Sequence, residues 1–287
     1  MRRLALSAVL LAFGTLAGAA QKVSVDLSPV LARLGEYVTA YYARAESIIC
    51  EETVRLQPVA HDLMSSDGAV PRRLLFDLRV SWAPSADGGV PEAQVLRTLI
   101  SVNNRAPREK DHDACMDPKA ISPEPLSMFL PESQGDYIFT AAGRAKVDGR
   151  PALMIDYKSR EQGPISTTRK DDCFSIELPG RTRGRVWVDE TTAEVLRLDE
   201  HLAGMFDVDL PPDPKRRWEM PSTVVVERLD SSIVYKPVSF TEPDEVVLLP
   251  SSKDTLTVVR NSGTPRLRTS QTFRNYRRFI TGARIVQ

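Results

Sequence analysis

The chain has 287 residues, 42% hydrophobic and 7% aromatic, with 38 lysines and arginines balanced by 38 aspartates and glutamates. That is enough apolar material for a sizeable core, and it excludes a disordered chain. The neutral balance excludes bulk attraction to nucleic acid, because a duplex binder needs a surplus of cations to displace counterions.

Arg2 and Arg3 precede an apolar run from Leu4 to Phe13 and the small residues Ala17, Gly18, Ala19 and Ala20. This is the three-part pattern of a secretory signal peptide over residues 1–20, with cleavage before Ala20 or before Gln21. The run is shorter than the ~20 apolar residues of a spanning helix. No later stretch is apolar enough to span a bilayer, so the mature protein is expected to be periplasmic or secreted. Loss of Arg2 and Arg3 with the leader leaves 36 basic residues against 38 acidic ones, a net charge of −2.

Export lets a cysteine pair close, and three cysteines allow three pairings with one thiol left over. Cys50 follows Ile48 and Ile49, whereas Cys115 and Cys173 lie in polar, loop-like sequence. We expect a disulfide between Cys115 and Cys173 and a buried thiol at Cys50.

Ser28 and Pro29 make a good helix start. Leu31, Leu34, Val38, Tyr41 and Ala45 then recur at helical spacing, which predicts one amphipathic helix over about 29–46. Beyond it come short segments of β-branched or alternating character: 48–56, 73–82, 95–102, 136–147, 152–157, 184–189, 195–202, 222–228, 233–240, 246–249, 255–260 and 269–279. Turn chemistry at 86–89, 147–150, 189–192 and 229–232 separates several of them. Residues 118–130 read as a short mid-chain helix or irregular segment, and 211–218 as a Pro-rich, charged insertion.

Helices do not alternate with these strands, so a parallel α/β sheet is disfavoured. The expected fold is α+β and mostly β. It is a large curved antiparallel sheet with the N-terminal helix and the mid-chain helix packed on its concave face.

The stretch from Tyr137 to Tyr157, with its Val147-Asp148-Gly149-Arg150 turn, is followed by Trp187-Val188-Asp189-Glu190-Thr191-Thr192 and by Leu196-Arg197-Leu198. This middle third, centred on 137–202, resembles the LolA/LolB-type lipoprotein carriers and their RseB-like sensor relatives. The chain departs from the small carriers by running on well past Leu202. It is therefore read as a single domain over 21–287, with a C-terminal extension from about 203. The resemblance implies an unclosed half-barrel with helical plugs and an apolar cavity that holds acyl chains or a peptide, and it does not itself imply enzymatic chemistry. The expected partner is an apolar or acyl-containing ligand or a lipoprotein, with no cofactor, and a hydrolase without a recognisable motif is the third reading.

No nucleophile elbow, metalloprotease helix, phosphate loop or Cys-x-x-Cys pair occurs in the chain. Asp111, His112, Asp113, Cys115 and Cys173 carry donor types that suit zinc, but a disulfide would consume both sulfurs, and no metal site is expected. His61 and His201 read as surface or rim residues. Neighbouring acids such as Glu51 and Glu52, or Asp171 and Asp172, point to opposite faces of a strand and make poor catalytic pairs.

Two basic stretches remain. Arg181, Arg183 and Arg185 bring three cations to the start of a strand, where they form either a solvated turn or a contact for an anionic head group. At the C-terminus Arg274, Tyr276 and Arg278 share one strand parity and are the expected ligand-binding face. The alternative is an edge strand guarded by charge, or an interaction module that caps an envelope partner.

Overall fold

In a computed structural model of the chain, the residues described are 26–45, 48–83, 92–112, 115–119, 122, 125–170, 173–211 and 222–278. The leader, the turn at 86–89, most of the 211–218 insertion, and the acids Asp113, Asp171 and Asp172 lie outside them. Helix α1 spans Ser28–Arg44. The strands are β1 (Ile48–Val59), β2 (Arg72–Ala83), β3 (Glu92–Val102), β4 (Tyr137–Val147), β5 (Arg150–Ser159), β6 (Ser166–Lys170) and β7 (Cys173–Glu177). They continue with β8 (Thr182–Asp189), β9 (Val195–Leu202), β10 (Phe206–Asp209), β11 (Thr223–Thr241), β12 (Asp244–Arg260) and β13 (Arg266–Arg278).

Ten strands form one antiparallel sheet in the order β3-β2-β1-β13-β12-β11-β9-β8-β5-β4, and β10 pairs with β11 beside this path. The ends β3 and β4 do not pair with each other, so the sheet stays open. Of the strands after residue 203, β11, β12 and β13 occupy the middle of this order, between β1 and β9, rather than an edge. Strands β6 and β7 form a separate two-stranded ribbon.

Helix α1 matches the sequence reading closely. Ser28 is its first residue, and the Ser28 N–H donates to Asp26 Oδ1 at 3.0 Å. Leu34, Tyr37, Val38, Tyr41 and Tyr42 are buried, one apolar stripe at helical spacing. They join one core cluster with Ile48, Cys50, Leu78, Val80 and Trp82 of β1 and β2 and with Leu153, Val186, Val188, Val195 and Tyr235 of β5, β8, β9 and β11. The Tyr42 and Trp82 rings meet edge to face at 4.5 Å.

The mid-chain helix is corrected to a single 3-10 turn, Ser127–Phe129. Pro125 and Pro131 bracket it too closely for an α-helix to propagate. Leu126, Met128, Phe129 and Leu130 nonetheless join the α1 cluster, buried on the same concave face.

Four expected strands fuse into two. The predicted turn at 229–232 lies inside β11, where Ser231 and Ser232 pair with β9 on one side and β12 on the other. The run breaks instead as bulges, one near Glu227 and one near Ser251, next to Pro250. Bulges are where a strand tolerates proline.

Candidate functional site

The two hairpins that carry the family resemblance brace each other. Asp148 and Gly149 both adopt positive φ, 48° and 83°, the backbone of a tight primed turn that Asp-Gly favours. That turn aims Arg150 at the next hairpin, where its Nε donates to Asp189 Oδ2 at 2.8 Å and its Nη2 pairs with Glu194. Asp189 Oδ1 also accepts the N–H groups of Thr191 and Thr192 at 2.8 and 2.9 Å. Burial opposes the charge on Asp189, but these N–H groups and Arg150 outweigh it and hold the carboxyl below its usual range.

Beside this brace, α1 stands off the sheet and leaves a cleft of about 230 Å³. Val30, Leu153, Val188 and Ala193 give it apolar walls, and Arg33, Arg144, Asp189 and Glu190 form its rim. Arg33 reaches across to the Thr191 carbonyl, and Arg144 Nε donates to Glu190 Oε1 at 2.7 Å. Individually these residues carry no sequence signal, because a Val or Ala that lines a cleft is spelled like one that fills a core.

Away from the cleft the concave face is filled. Leu34, Val38, Tyr41, Leu126 and Phe129 have no exposed surface at all. At the other end of the face, residues 105–112 and 115–119 form a strap over Val54, Leu56, Leu74, Phe76, Val102 and Leu267, with Met116 packed against them. Between the two ends, Glu52 is completely buried and takes a bidentate pair from Arg97, Nε at 2.7 Å and Nη2 at 3.2 Å, and a third bond from Gln271 at 2.6 Å. Glu51, its neighbour, faces out and bonds Asn275.

The strap is tied by polar bonds. Asp111 accepts from Arg105 Nη1 and Nη2 at 2.6 and 3.0 Å and from the Arg108 N–H at 2.9 Å. The Arg105 guanidinium first, then the Arg108 N–H, hold its carboxyl well below the usual range. Arg72 donates to both oxygens of Asp117. Cys115 is bonded to Cys173, with Cα atoms 5.3 Å apart, which links the strap to the β6–β7 ribbon; Cys50 is a buried thiol. His112 and His61 are exposed, and no metal-holding group of histidine, cysteine and acid side chains occurs among the described residues.

Arg274, Tyr276 and Arg278 do not share a face. Strand β13 carries a bulge where Asn275 and Tyr276 together oppose Cys50, and Asn275 has φ 56°. The extra residue resets the parity. Arg274 stays exposed, whereas Tyr276 and Arg278 turn in toward the core. The Tyr276 hydroxyl donates to the Pro250 carbonyl at 2.5 Å. Arg278 pairs with Glu245, donates to the Arg44 carbonyl at 2.6 Å, and stacks 4.6 Å from the Phe240 ring centroid. An asparagine, the residue type after glycine most tolerant of positive φ, is the one signal that marked the break.

Of the three arginines at 181–185, two are spent locally. Arg181 bonds the carbonyls of Gly163 and Pro179 and lies over Phe206, and Arg185 pairs with Asp156. Arg183 stands on the outer face of the sheet.

No protein-family model matches the chain, and no curated protein matches it in sequence. Among solved structures it is similar to a LolA superfamily protein from Nitrosomonas europaea, at 8% identity and TM-score 0.36, over 91% of this chain and 97% of that one. It is similar also to a DUF1329 family protein from Desulfovibrio piger, at 11% identity and TM-score 0.40, over 89% and 95%. The Pseudomonas aeruginosa MucA/MucB complex gives 11% identity and TM-score 0.21, over 84% and 93%. No residue of this chain takes its role from them.

Proposed function

We propose that the mature protein is an exported, non-enzymatic binding protein of the cell envelope. On this reading it forms one domain from about residue 21, and it holds an apolar or acyl-containing ligand, free or as part of a lipoprotein, on the concave face of the open sheet. The cleft beside α1 carries the reading: it is concave, apolar-walled and polar-rimmed, the combination expected of a site for an amphiphile. The leader-like residues 1–20 supply the export step. No helix among the described residues is long and apolar enough to cross a membrane, which leaves β-barrels unaddressed.

At about 230 Å³ the cleft is smaller than an ordinary ligand pocket, ~300–1,000 Å³. A full acyl chain therefore has to displace α1. The five buried side chains of α1 contribute about 2 kcal/mol each, roughly 10 in all, and an acyl chain of about twelve methylenes at ~0.8 kcal/mol each offsets that. Binding should then switch on with chain length rather than rise from the shortest ligand. Titration of the mature protein with fatty acids of increasing length tests it: saturable binding that begins at a threshold length and then strengthens is expected. Absence of saturable binding at every length would sink the reading. In the same series a variant with Arg274 replaced by Ser should bind as the unaltered protein does, because an exposed ion pair contributes about 1 kcal/mol or less.

A second reading, an interaction or sensor module that caps an envelope partner, is favoured by the filled state of the rest of the concave face. Such a module would use the outer surface, where Arg274 and Arg277 remain exposed.

A further inference from the structure

We propose that the outer face of the sheet carries a binding site for a phosphate monoester, built on Lys158, Arg183 and His201. The three residues sit directly opposite one another on β5, β8 and β9: Lys158 pairs with Arg183 in register, and Arg183 with His201. Side chains opposite one another across strands stand about 5 Å apart, and like charges so placed repel. The next row along the same strands shows the usual solution. There Asp156, Arg185 and Asp199 alternate in sign, Arg185 Nε bonds Asp156 Oδ1 at 2.5 Å, and Asp199 takes Arg197 at 2.8 Å and the Ser232 hydroxyl at 2.7 Å. Both acids of that row are thus paired with arginines, and among the described residues Lys158 and Arg183 make no ion pair with an acid.

Arg183 Nε donates to His201 Nε2 at 2.9 Å, which fixes the guanidinium beside the ring. The row lies in a groove of about 450 Å³ whose other walls include Ile138 and Trp187. A larger groove of about 940 Å³ begins at the same Arg183 and His201. A phosphate monoester carries close to the two negative charges that Lys158 and Arg183 leave unmatched, and the remaining guanidinium N–H groups fit two of its oxygens. Its organic part would lie against Ile138 and Trp187.

Calorimetric titration of the mature protein at low salt with inorganic phosphate and with glycerol 3-phosphate reads this site. Sedimentation with phosphatidylcholine vesicles, with and without phosphatidic acid, separates a free phosphate from a lipid head group. Saturable binding to either source is expected, weakening as salt is raised. The variant carrying Lys158→Ser and Arg183→Ser should lose at least tenfold in affinity, and Lys158→Arg should retain it. Arg73→Ser, an exposed cation elsewhere on the sheet, should bind as the unaltered protein does. Thermal melting confirms that each variant is folded. No saturable binding to phosphate, to glycerol 3-phosphate or to phosphatidic acid vesicles would overturn the proposal, as would equal affinity in the folded double variant.

Discussion

The two ends of the concave face are covered by different means. Over one end lies α1, held mainly by a dry stripe of Leu34, Tyr37, Val38, Tyr41 and Tyr42, with polar ties such as Arg33 to the 190–191 carbonyls and Arg278 to the Arg44 carbonyl. Over the other lies the strap of residues 105–112 and 115–119, held by Arg105, Arg72 and the Cys115–Cys173 bond around Asp111 and Asp117. Apolar burial is non-directional, so on the proposed reading an acyl chain would replace α1 on the same surface at similar free energy. Directional bonds and a covalent link cannot be exchanged in that way. The helix end is thus suited to open, and the strap end to stay shut while it does.

The largest test of this contrast is Val38→Asp. An unpaired carboxylate in a site with no exposure costs about 3–5 kcal/mol. Thermal melting of the variant should fall well below that of the unaltered protein, and equal melting would show that α1 is not docked by burial.

Replacing Cys115 and Cys173 together with Ser should cost somewhat less, about 2–4 kcal/mol, because the bond closes a loop with a sequence separation of 58. Hydrogen exchange should speed up in the strap and the β6–β7 ribbon while α1 keeps its protection. Equal loss of protection at both ends would break the distinction between them.

The smallest effect is acid loosening of the strap. The Asp111 carboxyl is held below its usual range by Arg105. Its contribution is therefore fully present above the ordinary carboxylate pKa near 3.9 and is lost as pH falls below it toward the folded value. Hydrogen exchange between pH 5 and pH 2.5 should show the strap losing protection, and Asp111→Asn should flatten that dependence. An unchanged pH profile in the variant would assign the acid sensitivity elsewhere.

Much of the fold was legible because strands and the helix announce themselves by period. The α1 stripe and the Asp148-Gly149 turn are local signals, and both stand where the pattern puts them. Strands β6, β7 and β10 were not legible, β7 having only the five residues Cys173–Glu177. Ser166–Lys170 is short and mostly polar, and β10 has four residues, so neither shows a period. The 229–232 segment carries turn residues, yet pairing on both edges outweighed them.

The candidate sites divide in the same way. The arginines at 181–185 were visible as a run, but only cross-strand register shows that Arg183 meets Lys158 and His201 while Arg181 and Arg185 are spent. The face expected of Arg274, Tyr276 and Arg278 failed at one added residue, since a single bulge reverses every side chain beyond it.

Composition, period and turn chemistry, all properties of neighbouring residues, determined a mostly antiparallel sheet with one amphipathic helix, and two cysteines in polar segments apart from the buried third. Strand order, the placing of β11–β13 between β1 and β9, the burial of Glu52 against Arg97, and the cleft beside α1 were decided by tertiary structure. Each depends on which distant segments share an edge or a face, and contacts between residues far apart in the chain leave no periodic trace in it.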